Sequence, residues 1–121
     1  MSSKDEPVYG INTGFGRFSN VKIPSEKLRD LQYNLIRSHS TGVGKILPID
    51  PSRRIVALRI NTLAKGFSGV SPDVVKRLIA FFNSGVVPWI PRAGSVGASG
   101  DLVPLAHIGL CLIGEGLTYD P

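Results

Sequence analysis

Gly94-Ser95-Val96-Gly97-Ala98-Ser99-Gly100-Asp101 runs directly into Leu102-Val103-Pro104-Leu105-Ala106-His107-Ile108-Gly109-Leu110-Cys111-Leu112-Ile113. The first half consists of small residues and glycines, which suit a wound loop and the entry to a helix. The second half is apolar on nearly every face of a helix, the pattern of an element buried on all sides. A chain of 121 residues can hardly surround such a helix by itself. The stretch therefore predicts a mainly α fold in which this chain is a piece of something larger.

Outward from it, the same punctuation recurs. Val86-Val87-Pro88-Trp89-Ile90-Pro91 carries two prolines and is forced into an extended path. Ser71-Pro72-Asp73 is a start signal for a helix in which Val75, Leu78, Ile79 and Phe82 repeat at i, i+3, i+4, i+7 until Asn83-Ser84-Gly85 ends it. Asp50 as cap and Pro51 at the first helical position open an earlier helix through Ile55, Leu58, Ile60, Leu63 and Phe67, with Gly66 and Gly69 as stops and Arg53, Arg59 and Lys65 on its polar face. A first helix is expected over about Ser25 to Thr41, with Leu28, Leu31 and Leu35 at helical spacing and Gly42 at the C′ position. The reading is a mainly α chain of about four helices joined by Gly/Pro-rich loops.

Before these helices, Tyr9-Gly10-Ile11-Asn12-Thr13-Gly14-Phe15-Gly16-Arg17-Phe18 packs three glycines into seven residues beside aromatics. Helices and regular strands tolerate this poorly, so it reads as a shaped loop that something approaches closely.

Fourteen basic against nine acidic side chains give a net charge of +5. The basic residues are scattered singly or in the pairs Arg53-Arg54 and Lys76-Arg77, with no interleaved aromatic platform, so nucleic acid is not expected as a partner. One cysteine, Cys111, excludes an intramolecular disulfide framework and any cysteine metal cluster, and a reducing compartment fits. The polar start and an apolar stretch well short of the ~20 residues that span a bilayer predict a soluble, cytoplasmic protein with no membrane segment. At this length the chain is at most one domain, treated as a single segment over residues 1–121.

The glycine-rich segments fail the common phosphate motifs. Gly42-Val43-Gly44-Lys45 lacks the leading glycine of a P-loop and the hydroxyl residue after lysine, and neither Gly14-x-Gly16 nor Gly94-x-x-Gly97-x-x-Gly100 matches a dinucleotide fingerprint. Gly97-Ala98-Ser99-Gly100 is no hydrolase elbow either. What Ala98-Ser99-Gly100 does permit is backbone chemistry. The unhindered amide nitrogen of Gly100 can attack the Ala98 carbonyl carbon, whose oxygen leaves as water, and the Ser99 hydroxyl can leave as a second water, giving a dehydrated five-membered ring with an exocyclic methylene. Such a ring is a strong electrophile, and a helix start just beyond it favours negative charge. Taken alone, the same three residues are also an ordinary capped loop.

Gly94 to His107 closely resembles the signature of the aromatic amino acid ammonia-lyases, and Val8-Tyr9-Gly10-Ile11-Asn12-Thr13-Gly14-Phe15-Gly16 resembles that family's second hallmark, in the right order and at about the right separation. The resemblance covers the chain from Val8 onward and implies a fragment of the larger all-α ammonia-lyase fold. It implies that Ala98, Ser99 and Gly100 cyclise autocatalytically to a methylideneimidazolone, with no external cofactor and no metal. Tyr9 then corresponds to the catalytic base, a role that needs its pKa drawn down from ~10; otherwise it is a packed loop aromatic. His39, which by chemistry alone is a favourable cation at a helix end, corresponds to a substrate-facing histidine. The implied reaction is elimination of ammonia from L-histidine to give urocanate, in a homotetramer of longer chains acting on a small amino acid. The alternatives are a phenylalanine or tyrosine ammonia-lyase, or a truncated fragment without activity. His107 reads as a structural histidine on the fourth helix and Asp101 as a cap that also steadies the ring, both outside the catalytic set.

Overall fold

The computed structural model describes residues 6–119, which fall into two compact units, one ending at Ser38 and the other starting at His39.

In the first unit the glycine-rich loop folds back on itself. The Gly14 N–H donates to the Val21 carbonyl at 3.0 Å and the Ile23 N–H to that of Asn12 at 2.9 Å, on either side of an isolated antiparallel bridge between Thr13 and Lys22. The Asn12 side chain ties down the start of the loop, accepting the Val8 N–H at 2.6 Å and donating to the Glu6 carbonyl at 2.9 Å. A Cβ at Gly14 would stand 2.7 Å from that of Phe18, so the return path needs glycine there. The expected shaped loop is therefore present. A 3-10 turn over Ser25–Lys27 leads into α1, Leu28–His39, where Arg29 and Arg37, one helical step to either side, lie 5.7 and 5.5 Å from the centroid of the Tyr33 ring. The helix stops at His39, short of Thr41, because the chain turns extended before β1; Gly42 is consequently not its cap.

The second unit continues with β1 (Val43–Ile46), α2 (Ile49–Ala64), α3 (Pro72–Asn83), β2 (Val87–Pro88), β3 (Pro91–Ala93), α4 (Leu102–Leu112) and β4 (Thr118–Tyr119). Its strands form two antiparallel pairs. β1 pairs with β3, Val43 opposite Ala93 and Ile46 opposite Pro91 across an irregular step, and β2 pairs with β4, Val87 opposite Tyr119. The proline-forced segment 86–91 thus becomes the link between the two pairs. Val56 and Leu63 of α2, Leu78 of α3, Ile90 and Ile108 of α4 form the core, and Ile90 is wholly buried. Arg53 covers this layer from outside, its guanidinium 4.4 Å from the centroid of the Phe82 ring.

Two starts differ from the sequence reading. α2 begins at Ile49 after Pro48, with Asp50 inside the first turn and no side-chain cap. Pro51 is tolerated there because the first four N–H groups of a helix have no intrahelical acceptor to lose. Asp101 does precede α4, but in the left-handed region at φ 52° and without a cap bond. Nor is α4 covered on all sides within these residues: Ala106 and Ile108 are buried, whereas Leu102 and Leu112 keep 42% and 40% of their surface. In its last turn, Cys111 donates to the carbonyl of Leu117 beyond the helix end at 3.4 Å, and burial pushes its thiol up to about 11.

A further tie crosses the unit. His107 accepts the Gly42 N–H on Nε2 at 3.3 Å, which assigns its proton to Nδ1 and its ring to the neutral form. Burial lowers its pKa below the ordinary 6.5.

Replacing Ile90 with alanine is expected to cost about 2–5 kcal/mol, read as a lower urea midpoint at unchanged slope. For His107, the unfolded chain takes up the ring proton more readily than the folded one. Stability is therefore full above the unfolded value near 6.5 and falls as the pH drops below it. Urea titrations at pH 7.5 and 5.5 measure the loss, and His107→Gln should remove part of it.

Candidate active site

The small residues at 97–101 wind into a tight turn because they offer little side-chain bulk to resist it. Gly97–Ser99 form a single 3-10 turn, and Gly100 follows at φ 93°, a conformation glycine takes without penalty. The hydrogen bonds of this turn converge on one atom. The Val96 carbonyl accepts the Ser99 N–H at 3.1 Å, the Ser99 hydroxyl at 2.9 Å and the Asp101 N–H at 3.1 Å, while the Gly97 carbonyl takes the Gly100 N–H at 3.1 Å. Asp101 is the one non-glycine residue with positive φ among those described. Aspartate enters that region more easily than most residues, and here its carboxylate accepts the Ser95 hydroxyl. A side chain expected to cap α4 instead pins the turn from the other side.

The groups that ring closure would use lie together in this turn. Ala98, Ser99 and Gly100 are exposed, Gly100 presents a nitrogen flanked by no side chain, and the Ser99 hydroxyl is held on a backbone oxygen by one hydrogen bond. Closure requires the Gly100 N–H to leave Gly97 and the nitrogen to turn onto the Ala98 carbonyl carbon, a local change within the 3-10 turn.

Beside the turn lies an open cleft of about 410 Å³, into which Ser95, Gly100 and Asp101 face together with Arg59 and Thr62 from α2. In the sequence, Arg59 falls on the polar face of its helix with nothing to connect it to the turn. The signal was lacking because more than thirty residues separate them in the chain. Ser95 carries no signal of its own in the sequence, where nothing marks its bond to Asp101.

The remaining site residues stand as follows. Tyr9 belongs to the first unit, where 63% of it is exposed. Its ring meets Phe15 edge-on at 5.7 Å between centroids, and its oxygen accepts the Gly16 N–H at a long 3.5 Å. His39 closes α1 and is half-buried. His107 is hydrogen-bonded, as a structural histidine should be. Among the described residues no three His, Cys, Asp or Glu side chains come together as metal ligands, and no helix is long and apolar enough to cross a membrane.

Comparison with known proteins connects these features. The family pattern described as aromatic amino acid lyase matches residues 1–120. A probable histidine ammonia-lyase of Thermoplasma volcanium is 56% identical over 119 residues, covering 98% of this chain and 24% of that protein. The crystal structure of a tyrosine aminomutase from Streptomyces globisporus superposes with a TM-score of 0.88 at 45% identity, over 97% of this chain and 22% of that one. Histidine ammonia-lyase from Trypanosoma cruzi superposes at 0.80 with 49% identity, over 92% and 20%. The chain thus spans about a quarter of the length of that curated relative and about a fifth of the solved ones. Its helices and glycine-rich turns reproduce that part of a larger, mainly α fold. Matched by the family pattern over residues 1–120 and by relatives over nearly its whole length, the chain belongs to the aromatic amino acid lyase family.

Proposed function

We propose that the protein eliminates ammonia from L-histidine to give urocanate, as part of a chain of the relatives' length, using a methylideneimidazolone made from Ala98, Ser99 and Gly100. The observation that carries this reading is the turn at 96–101, where an Ala-Ser-Gly sequence is wound tightly with glycine in the left-handed region. Histidine as substrate is supported by relatives of that name at 56% and 54% identity over nearly all of this chain. Once closed, the ring supplies an electrophilic methylene that no ordinary side chain offers.

The chain's own residues supply the rest of what these 121 positions contribute. Tyr9 is proposed as the base that removes the β-proton, and its exposed side chain supports that reading. His39 is proposed to meet the substrate's imidazole ring. Asp101 and Ser95 brace the turn, and the start of α4 just after it favours negative charge. A lyase site also needs a group to hold the substrate carboxylate and walls that exclude water. Among the described residues Arg59 is the one cation lining the cleft beside the turn, and that cleft is open to solvent, so the activity is proposed for the longer protein, which we read as a cytoplasmic homo-oligomer.

A second reading, aminomutase chemistry on tyrosine, is favoured by the superposition on the Streptomyces globisporus enzyme. A mutase keeps the nitrogen in its product, so ammonia released per substrate consumed separates the two.

Intact-mass measurement should find the protein lighter than its encoded mass by two waters, localised to the peptide holding Ala98 to Gly100. Ser99→Ala should abolish the loss, and an unmodified parent mass would remove the ring from the proposal. In a chain of the relatives' length carrying this segment, Tyr9→Phe should lower kcat for urocanate formation by about 10²–10⁴, the usual worth of a positioned base. The 121 residues alone should form no urocanate, followed by its absorbance.

A further inference from the structure

Gly42 is enclosed more tightly than a loop glycine needs to be. A Cβ built on it would lie 2.9 Å from both Cβ and Cγ of Pro91 and 3.0 Å from Nε2 of His107. From the other side, a Cβ on Gly94 would come within 3.3 Å of the Gly42 Cα and of a Val103 methyl carbon. Position 42 is therefore gripped by the end of β3, by the start of the triad loop and by the first two turns of α4. All of these contacts lie within the second unit, and β1, starting at the next residue, continues the grip through its pairing with β3. Three residues before Gly42 is His39.

Gly42 is half-buried, and its N–H is taken up by His107, which accepts it on Nε2 at 3.3 Å. An imidazole can accept here only in its neutral form, because the protonated ring has no lone pair to offer. It must also reach from a helix whose first residue comes two positions after Gly100. A histidine five residues into α4, with its proton on Nδ1, meets both conditions.

We propose that His107 is a positioning residue: by accepting the Gly42 N–H it ties the turn that follows His39 to the helix that begins at the triad, and so fixes where His39 stands relative to Ala98–Gly100. The inference rests on the reading of His39 and the triad given above. It assigns His107 a role transmitted through Gly42, with no contact to substrate. The neutral state that the tie requires is reinforced by burial, which lowers the pKa of the ring.

The test compares three substitutions that differ in where an acceptor atom sits. Glutamine can bring its Oε1 to the place of Nε2, asparagine reaches only the place of Nδ1, and leucine fills volume without an acceptor. Amide hydrogen exchange at Gly42 and the ring resonances of His39 are read by NMR on the protein itself. Parent and His107→Gln should share slow Gly42 exchange and the same His39 signals, whereas His107→Asn and His107→Leu should exchange at least ~10-fold faster with His39 shifted. In a chain of the relatives' length the last two should lose about 10–100-fold in kcat/KM, the scale of a misplaced contact. That loss should fall chiefly on KM, with the two-water mass loss retained. Unchanged Gly42 exchange and His39 signals in His107→Asn, or a His107→Gln variant as damaged as His107→Leu, would overturn the proposal in favour of simple packing. Should the leucine variant not fold, the glutamine and asparagine pair still decides. A parent without the mass loss or any turnover would count against the functional reading, and the Gly42 and His39 signals would judge the tie independently.

Discussion

Burial of Ile90 is the constraint on which the second unit turns. Its side chain is fully enclosed among Val56, Leu63, Leu78 and Ile108, so it joins α2, α3 and α4 in one core. The backbone around it is bound as firmly. The Ile90 carbonyl accepts the Leu47 N–H at 2.8 Å, the Trp89 N–H donates to Leu117 at 2.9 Å, and the Tyr119 hydroxyl closes onto the Leu47 carbonyl at 2.8 Å. A segment of two prolines, poor in donors of its own, is thereby paired on one side with β4 and on the other with β1. Everything after Pro91, including the triad, hangs from that anchored strand.

The helices were legible because their signals are local. Apolar spacing in α3, proline at its start and glycine after its end all act within a few residues, and the helix forms at Pro72–Asn83 as expected, although Ser71 makes no side-chain cap bond. The misread starts were competitions that local rules do not decide. Asp50 lies in a helix that had already begun, and Asp101 spends its carboxylate on Ser95 instead of on α4. Strands of two to four residues carry no periodicity of their own, and tertiary pairing alone creates them. In the candidate site, Ala98-Ser99-Gly100 and the Tyr9 loop were visible through family resemblance. The cleft with Arg59 and the bond from Gly42 to His107, 65 residues apart, could not be found by reading along the chain.

The turn at 96–101 departs from ordinary local preference in one small region. An aspartate sits at positive φ, a carbonyl serves three donors, and the residues around them are exposed. Departures of this kind persist where the surrounding structure holds them, and they concentrate at functional positions. The holding contacts can be named: Ser95 on Asp101 from before the turn, and α4 from after it.

The apolar side chains left in the open, Phe67 at 93%, Leu117 at 67% and Leu58 at 64%, cast the +5 charge in a colloidal role. Two copies meeting through such surfaces would gain burial, and scattered like charges oppose the encounter before contact is made. That repulsion reaches only about a Debye length, roughly 8 Å at physiological salt and 3 Å at 1 M. For these 121 residues taken alone, raising the salt would weaken that opposition and leave the exposed apolar side chains freer to meet.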